Sequence, residues 1–176
     1  MIRLPGLLVL VATTVTANPL GAQSDPEAKL KELGITLPAV GVPLANYVST
    51  VRTGNLVFLA GHGPAQPWSK SATGKLGRDL TVKEGYEAAR NVAINLLASL
   101  KAEIGDLRKV KRIVRVFGMV NAVDSFTEQP EVINGCSDLL VAVFGPKGKH
   151  ARAAVGMGSL PRNLSVEIEM VVEVEP

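Results

Sequence analysis

The sequence predicts an α+β domain built on a single antiparallel-rich mixed sheet with two helices packed on one face. Alternating apolar and polar runs typical of strands surround two runs with helical spacing, in the order strand, strand, helix, strand, helix, strand, strand. Residues 23–176 form one stretch without a linker, and this length is enough for one domain with its own core.

The first 22 residues have the layout of a secretory signal peptide. Arg3 lies in a short basic start, and residues 4–17 form an apolar run that ends in small side chains. Cleavage is expected after Ala17 or after Ala22, and both positions stay open. Because the run is too short for a stable anchor, we expect no membrane insertion and a mature protein that is periplasmic or secreted.

Charge and cysteine content exclude several functional classes. The chain has 19 basic and 16 acidic residues, a net charge of +3, and the two signs are interspersed, so no nucleic-acid partner is expected. Cys136 is the single cysteine, which excludes an internal disulfide and a cysteine-based metal cluster. The spacing of His62 and His150 does not suggest a zinc site. We therefore expect neither a metal nor a cofactor.

The N-terminal half of the domain predicts a short helix followed by a β-hairpin. The helix is expected over 26–33, where a proline stands near the first helical position and a glycine follows the end. Two strands over 47–51 and 56–60 are joined by a tight turn at 53–55. The following stretch, 62–79, is rich in glycine and proline and predicts a loop.

The central part predicts the two helices that pack on the sheet. Thr81 and Glu84 have the spacing of a capping box, and the apolar residues after them recur at helical spacing as far as Gly105. A strand over 111–122 separates this helix from a second helix over 128–144. Cys136 falls among the apolar positions of the second helix and is expected to be a core residue.

The last two strands are expected to form a second hairpin. A run of small and apolar residues begins at Arg152, a turn rich in proline and asparagine occupies 160–164, and an alternating strand follows from Val166. Apolar residues fall on both sides of this hairpin, so both faces of the sheet are expected to be covered. The residues concerned are Val155, Met157, Val166, Val171 and Val172.

This hairpin register would place its two most informative charges far apart. Arg152 would lie opposite Glu173, and Glu167 would lie opposite Gly158. The two would then be roughly 15 to 20 Å apart at the rise of a strand. One cleft could use both only with help from twist, a bulge or a neighbouring subunit.

The same two charges admit a plain structural interpretation. Arg152 opens a strand almost free of other polar side chains, so it is either an anchor in a pocket or an edge charge that discourages aggregation. Glu167 is either a functional acid or one of four glutamates solvated along the last strand.

Several motifs, in the right order, resemble the RidA/YjgF family of imine and enamine deaminases. They are YVSTVRTGNLVFLAGHGP at 47–64, ARAAV at 151–155, the Leu160-Pro161 pair and VEIE at 166–169. The resemblance runs from about Pro43 to Val174 and is greatest to the branch labelled chorismate-mutase-like. It implies a homotrimer with clefts between the subunits.

The resemblance also implies a reaction and a set of residues. The family hydrolyses 2-imino acids to keto acids and ammonia without a cofactor. Arg152 would bind the carboxylate of a small substrate, and Glu167 would position and deprotonate the attacking water. Tyr47, Gly61 and Asn134 would contribute to substrate binding, although Asn134 fits an ordinary polar position on a helix equally well.

Some positions depart from the better-known members. Ala60 stands where a serine is common, Ala154 stands where a cysteine is common, and the loop over 147–150 is about one residue longer. Other functions therefore stay open. The first is a non-catalytic trimer that binds small ligands or acts like a chaperone, which export from the cytoplasm would favour. The other two alternatives, which the sequence favours less, are an endoribonuclease and a chorismate mutase.

Overall fold

The computed structural model describes residues 25–41 and 45–176. The expected signal peptide, residues 1–22, lies outside the described residues and stays a prediction. In chain order the helices and strands are α1 (Pro26–Glu32), β1 (Thr50–Thr53), β2 (Leu56–His62), α2 (Val82–Ile104), β3 (Val110–Asn121), α3 (Gln129–Phe144), β4 (Ala151–Met157) and β5 (Val166–Val174).

The strands form one mixed sheet, as the sequence predicts. Their order is β1-β2-β5-β3-β4, and every pair of neighbours is antiparallel except β3 and β4, which are parallel. Helices α2 and α3 pack against each other and against one face of the sheet, while the short α1 contacts α3. The α+β class with two packed helices on one face is confirmed, and α1 is the short helix predicted over 26–33.

Local sequence signals explain where the helices begin. The Oδ1 atom of Asp25 accepts a hydrogen bond from the backbone N–H of Glu27 at the start of α1 (3.0 Å). At α2 the hydroxyl of Thr81 accepts from the N–H of Glu84, and the Glu84 carboxylate accepts from the N–H of Thr81. The predicted capping box is therefore present.

The core lies between the helices and the face of the sheet that they cover. Apolar side chains at helical spacing on α2 are buried against β2 and β5, and those of α3 are buried against β3 and β4. Burying one large aliphatic side chain of this kind contributes about 1.5–3 kcal/mol. The largest fully buried side chains include Leu76, Leu96, Leu97, Leu100, Ile113, Ile133, Leu140, Ile168 and Met170. Cys136 is also fully buried, as expected, and burial raises the pKa of its thiol to about 12.

The predicted hairpin of the last two strands is wrong, because β3 lies between β4 and β5. Arg152 is paired with Val116 of β3 and not with Glu173. Glu167 is paired with Met119 on the other side of β3 and not with Gly158.

The connection through α3 explains this arrangement. A strand that follows a crossover helix usually returns parallel to the strand before the helix, and β4 does so beside β3. The chain then passes through buried Leu160 and the short 3₁₀ turn Pro161–Asn163 before it enters β5. Since β5 pairs with both β2 and β3, it occupies the centre of the sheet.

The first hairpin is confirmed with shifted ends. Strand β1 begins at Thr50, so Tyr47 lies before it, 54% exposed. Strand β2 continues to His62 through a bulge between Leu59 and His62. Among the described residues, none of the helices is both long enough and apolar enough to cross a membrane.

Candidate functional site

Arg152 lies at the edge of the sheet on the side that the helices cover. Its Nη1 atom donates hydrogen bonds to Oδ1 of Asn134 (2.7 Å) and to Oγ of Ser137 (3.1 Å), both on α3. These two residues are three positions apart, so they share one side of the helix. The remaining guanidinium N–H groups make no hydrogen bond within the described part of the chain, and the residue stays exposed. Arg152 is therefore held by neutral acceptors and keeps its charge available.

His150 contacts Ser137 and is less exposed than Arg152. Its Nδ1 atom lies 2.7 Å from the carbonyl oxygen of Gly148, and its Nε2 atom lies 3.1 Å from Oγ of Ser137. Because a carbonyl oxygen only accepts, Nδ1 carries the proton, and Nε2 accepts from the Ser137 hydroxyl. We call Arg152, Asn134, Ser137 and His150 the arginine cluster.

Electrostatics favour the neutral imidazole in this cluster. Burial lowers the pKa of His150 below its ordinary value, and the nearby charge of Arg152 lowers it further, while the hydrogen bond to Gly148 opposes both effects. These effects together favour the neutral form of the His150 imidazole. A neutral ring keeps the lone pair that receives the Ser137 proton.

Glu167 lies on the other face of the sheet, next to Gly61. Its side chain covers the Cα atom of Gly61, and a Cβ atom there would overlap the Glu167 carboxylate. Residue 61 must therefore be glycine for the carboxylate to take this position. Burial raises the pKa of Glu167, and the negative charge of Glu169 raises it further. A carboxylate with a raised pKa is a better proton acceptor than an ordinary one.

Within the described residues no helix covers the face that carries Glu167, and large apolar side chains are exposed on it; we call it the open face. It holds a groove of about 330 Å³. Val51 and Phe58 are 54% and 44% exposed there, and the Arg115 guanidinium lies 5.4 Å from the centre of the Phe117 ring. The groove is lined by Val48, Val51, Phe58, Leu59, Ala60, Arg115, Phe117, Glu169, Met170 and Val171. Exposed apolar surface of this kind is typical of binding surfaces.

One subunit does not bring Arg152 and Glu167 together. Their partners on β3, Val116 and Met119, are three residues apart, and each pairs on a different side of that strand. This corresponds to roughly 14 Å between the Cα atoms. The side chains also point to opposite faces, because Arg152 reaches α3 and Glu167 does not.

The other predicted site residues divide between these two places. Asn134 binds Arg152, and Gly61 contacts Glu167. Tyr47 belongs to neither pair and is exposed next to Val48, which lines the groove.

The structure also shows where the two residues that depart from the commoner family pattern lie. Ala60 lines the groove on the open face. Ala154 is partly buried against the core.

Ser137, His150 and Glu169 were not predicted as site residues. The spacing of Ser137 from Asn134 places both on one side of α3, and a residue two positions before Arg152 in an extended chain points the same way. These two spacings could predict Ser137 and His150 as site residues only if Arg152 were already known to face α3. Glu169 has the same relation to Glu167, two positions along β5.

The fold and the candidate site together define an α+β protein with helices on one face of a mixed sheet. Its candidate functional side chains lie on both faces of that sheet. Within that class the chain matches, over residues 27–174, the family model described as "YjgF/chorismate_mutase-like, putative endoribonuclease". The chain belongs to this YjgF/RidA family.

Three similar proteins illustrate the range of descriptions in the family. A solved structure from Agrobacterium tumefaciens, Atu1372, of unknown function, is 47% identical; the match covers 86% of this chain and 94% of that one, with a TM-score of 0.79. A "putative endoribonuclease" from Shewanella oneidensis is 34% identical, with 85% and 99% covered and a TM-score of 0.82. A 2-iminobutanoate/2-iminopropanoate deaminase from Dermatophagoides farinae is 29% identical over 142 residues, 80% of this chain and 95% of that protein.

Proposed function

We propose that this protein is a homotrimeric deaminase that hydrolyses 2-imino acids to 2-keto acids and ammonia. The observation that carries the proposal is the arginine cluster, in which Asn134 and Ser137 hold an exposed guanidinium through its Nη1 atom. The planar fork of arginine suits two parallel hydrogen bonds to a carboxylate. The deaminase activity named for the Dermatophagoides farinae relative agrees with this substrate class.

The proposed chemistry needs one carboxylate and one water molecule. Glu167 accepts a proton from the water, and the water oxygen bonds to the imine carbon to give a tetrahedral carbinolamine. The protonated carboxyl group of Glu167 gives this proton to the nitrogen. Glu167 then takes the proton of the new hydroxyl group and passes it to the nitrogen as well. The C–N bond then breaks, ammonia leaves, and the oxygen becomes that of the keto acid.

A second subunit is needed to complete this site. Because Arg152 and Glu167 point to opposite faces of one sheet, a ligand bound to Arg152 of one subunit can reach only the Glu167 of a neighbour. The apolar open face offers a surface on which that neighbour can pack. The resemblance to the family favours three subunits, with the clefts between them.

The decisive experiment mixes purified protein, residues 23–176, with freshly generated 2-iminobutanoate and follows the release of 2-oxobutanoate. We expect release faster than the spontaneous reaction. The matched control is Arg152→Ala, which should react no faster than buffer. If both proteins are inactive while the unchanged protein still binds 2-oxobutanoate, the protein is a non-catalytic ligand-binding trimer.

RNA is tested as a substrate in a separate assay with the same purified protein, because family descriptions name an endoribonuclease. The described residues do not pair two histidines for RNA cleavage. His62 is buried and its Nε2 lies 2.8 Å from Oγ of Ser99, whereas His150 belongs to the arginine cluster. We expect no RNA cleavage that depends on Glu167, and cleavage lost in Glu167→Gln would replace the deaminase proposal.

We also propose that the protein works outside the cytoplasm, from the composition of residues 1–22. The mass of the natively produced protein checks this. A chain that starts after Ala17 or Ala22 is expected, and an intact chain in the cytoplasm contradicts it.

A further inference from the structure

We propose that His150 and Ser137 are positioning residues that fix the Arg152 guanidinium for carboxylate binding. The proposal rests on the proposed role of Arg152 as the carboxylate anchor. Beyond that role, we infer that the neutral imidazole sets the direction of the Ser137 hydroxyl proton. The direction of that hydroxyl in turn fixes the orientation of the Arg152 guanidinium.

The hydrogen-bond inventory of the serine hydroxyl supports the first step. Oγ of Ser137 has one proton to donate and lone pairs with which to accept. A serine inside a helix commonly donates to the backbone carbonyl four residues earlier. Here Nε2 of His150, 3.1 Å away, offers that proton another acceptor. With its proton directed to His150, the oxygen presents a lone pair to Arg152.

The imidazole is itself fixed by main-chain atoms. Its Nδ1–H donates to the carbonyl of Gly148, at the end of the 3₁₀ turn Gly145–Gly148. Gly148 is buried against the backbone of α3, and a Cβ atom there would overlap the carbonyl of Leu140. The helix that carries Ser137 therefore also fixes the turn that orients His150. Neither ring nitrogen is left to rotate toward another partner.

A second histidine–serine pair in the molecule provides the matched control. His62 lies with Nδ1 2.7 Å from the carbonyl of Ala60 and Nε2 2.8 Å from Oγ of Ser99 on α2. The bonds are of the same type, two residues back to a carbonyl and across to a helical serine. This pair is buried and binds no arginine in the described part of the chain. Any effect specific to ligand binding must therefore come from the presence of Arg152 beside Ser137.

The test measures the affinity for 2-oxobutanoate by calorimetry, together with KM and kcat for the imine. Ser137→Ala and His150→Leu are expected to raise both Kd and KM about three- to tenfold, the size of one hydrogen bond, with kcat within about twofold. Ser137→Thr, which keeps the hydroxyl, and His150→Gln, which keeps a neutral acceptor, should restore most of the affinity. Ser99→Ala is expected to lower the melting temperature and leave Kd unchanged.

A spectroscopic measurement covers the case in which the His150 variants fold poorly. Nitrogen NMR of the unchanged protein should show His150 with its proton on Nδ1. Addition of 2-oxobutanoate should shift the His150 ring signals and leave those of His62 in place. In Arg152→Ala the shift should disappear.

Two results overturn the proposal and are distinguishable. If Ser137→Ala and His150→Leu bind 2-oxobutanoate like the unchanged protein while Arg152→Ala does not, the positioning role is wrong and the carboxylate anchor stands. If Arg152→Ala binds as well as the unchanged protein, the anchor is wrong and the positioning role falls with it.

Discussion

The two faces of the sheet are made by the same strands and have opposite properties. On the packed face, Val57, Ile168 and Val172 are fully buried beneath the helices. On the open face, their neighbours in the chain, Phe58 and Val171, line a groove in contact with solvent. Alternation along each strand produces both faces from one sequence.

The candidate site divides along the same line. Arg152 reaches the packed side at its edge, where α3 supplies hydrogen-bond acceptors, and Glu167 lies on the open side, where Gly61 makes room for it. A fold that is complete in one subunit is therefore not expected to complete the chemistry. The difference between the faces indicates that Arg152 and Glu167 would come together only when two copies of the chain associate, and not through the fold of one chain.

The largest expected effect comes from the open face. Glu167→Gln keeps the size and the hydrogen bonding of the side chain and removes the base, so kcat should fall about 10²-fold or more. Binding of 2-oxobutanoate should stay near normal, because Arg152 is untouched. Steady-state kinetics and calorimetry on the same preparation check both parts. Unchanged turnover would leave Glu167 as a half-buried carboxylate of the central strand without a catalytic role.

Arg152→Lys tests the packed side, and a smaller effect is expected. Lysine keeps the charge but loses the planar fork, and loss of one charge-assisted hydrogen bond costs about 1.5–3 kcal/mol. The ratio kcat/KM should fall by about one to two orders of magnitude, and carboxylate binding should weaken with it. If Arg152→Lys and Glu167→Gln both retain full turnover, the deaminase proposal is wrong.

Phe58→Asp tests whether the open face is covered in solution. A buried charge at this position should dissociate the proposed trimer, because an unpaired carboxylate in an apolar interface is strongly unfavourable. Light scattering at micromolar concentration should show smaller particles than for the unchanged protein. Leu33→Asp is the matched control, since Leu33 is similarly exposed but lies at the end of α1. A monomer before any substitution would contradict the proposed interface.

Glu169→Gln should give the smallest effect, a shift in pH dependence. Burial and the charge of Glu169 both raise the pKa of Glu167, so activity should rise with pH as Glu167 loses its proton. Removing the charge of Glu169 lowers the pKa of Glu167, and the acidic limb of the pH–rate profile should move to lower pH. A shift in the opposite direction would show that another group controls this limb.

Local physics explains which parts of the fold were predictable. The capping box at Thr81 and Glu84, the burial of Cys136 and the alternation along β5 each follow from spacing within one element. Alternation did not reveal the neighbour of β4, since a strand shows the same alternation beside either partner, whereas the strand–helix–strand order around α3 favours the observed pairing with β3. The resemblance supplied Arg152 and Glu167, but their opposite faces depend on the strand order.

The residues around Arg152 were less accessible to prediction for a related reason. Ser137 and His150 gain their meaning only from a contact between α3 and β4, which are joined by a turn of unpredictable geometry. A lone histidine and a helical serine are each common in structural positions. Their joint role depends on three-dimensional placement and not on a motif.

The close approach of α2 and α3 has a consequence for how this protein could change during evolution or engineering. At Gly135 the helices are so close that a Cβ atom would overlap the carbonyl of Tyr86. Gly135 stands beside Asn134 and two positions before Ser137, so a shift of α3 at this point would also move the two acceptors that bind the Arg152 guanidinium. A larger residue at 135 would change affinity from a distance, without touching the ligand.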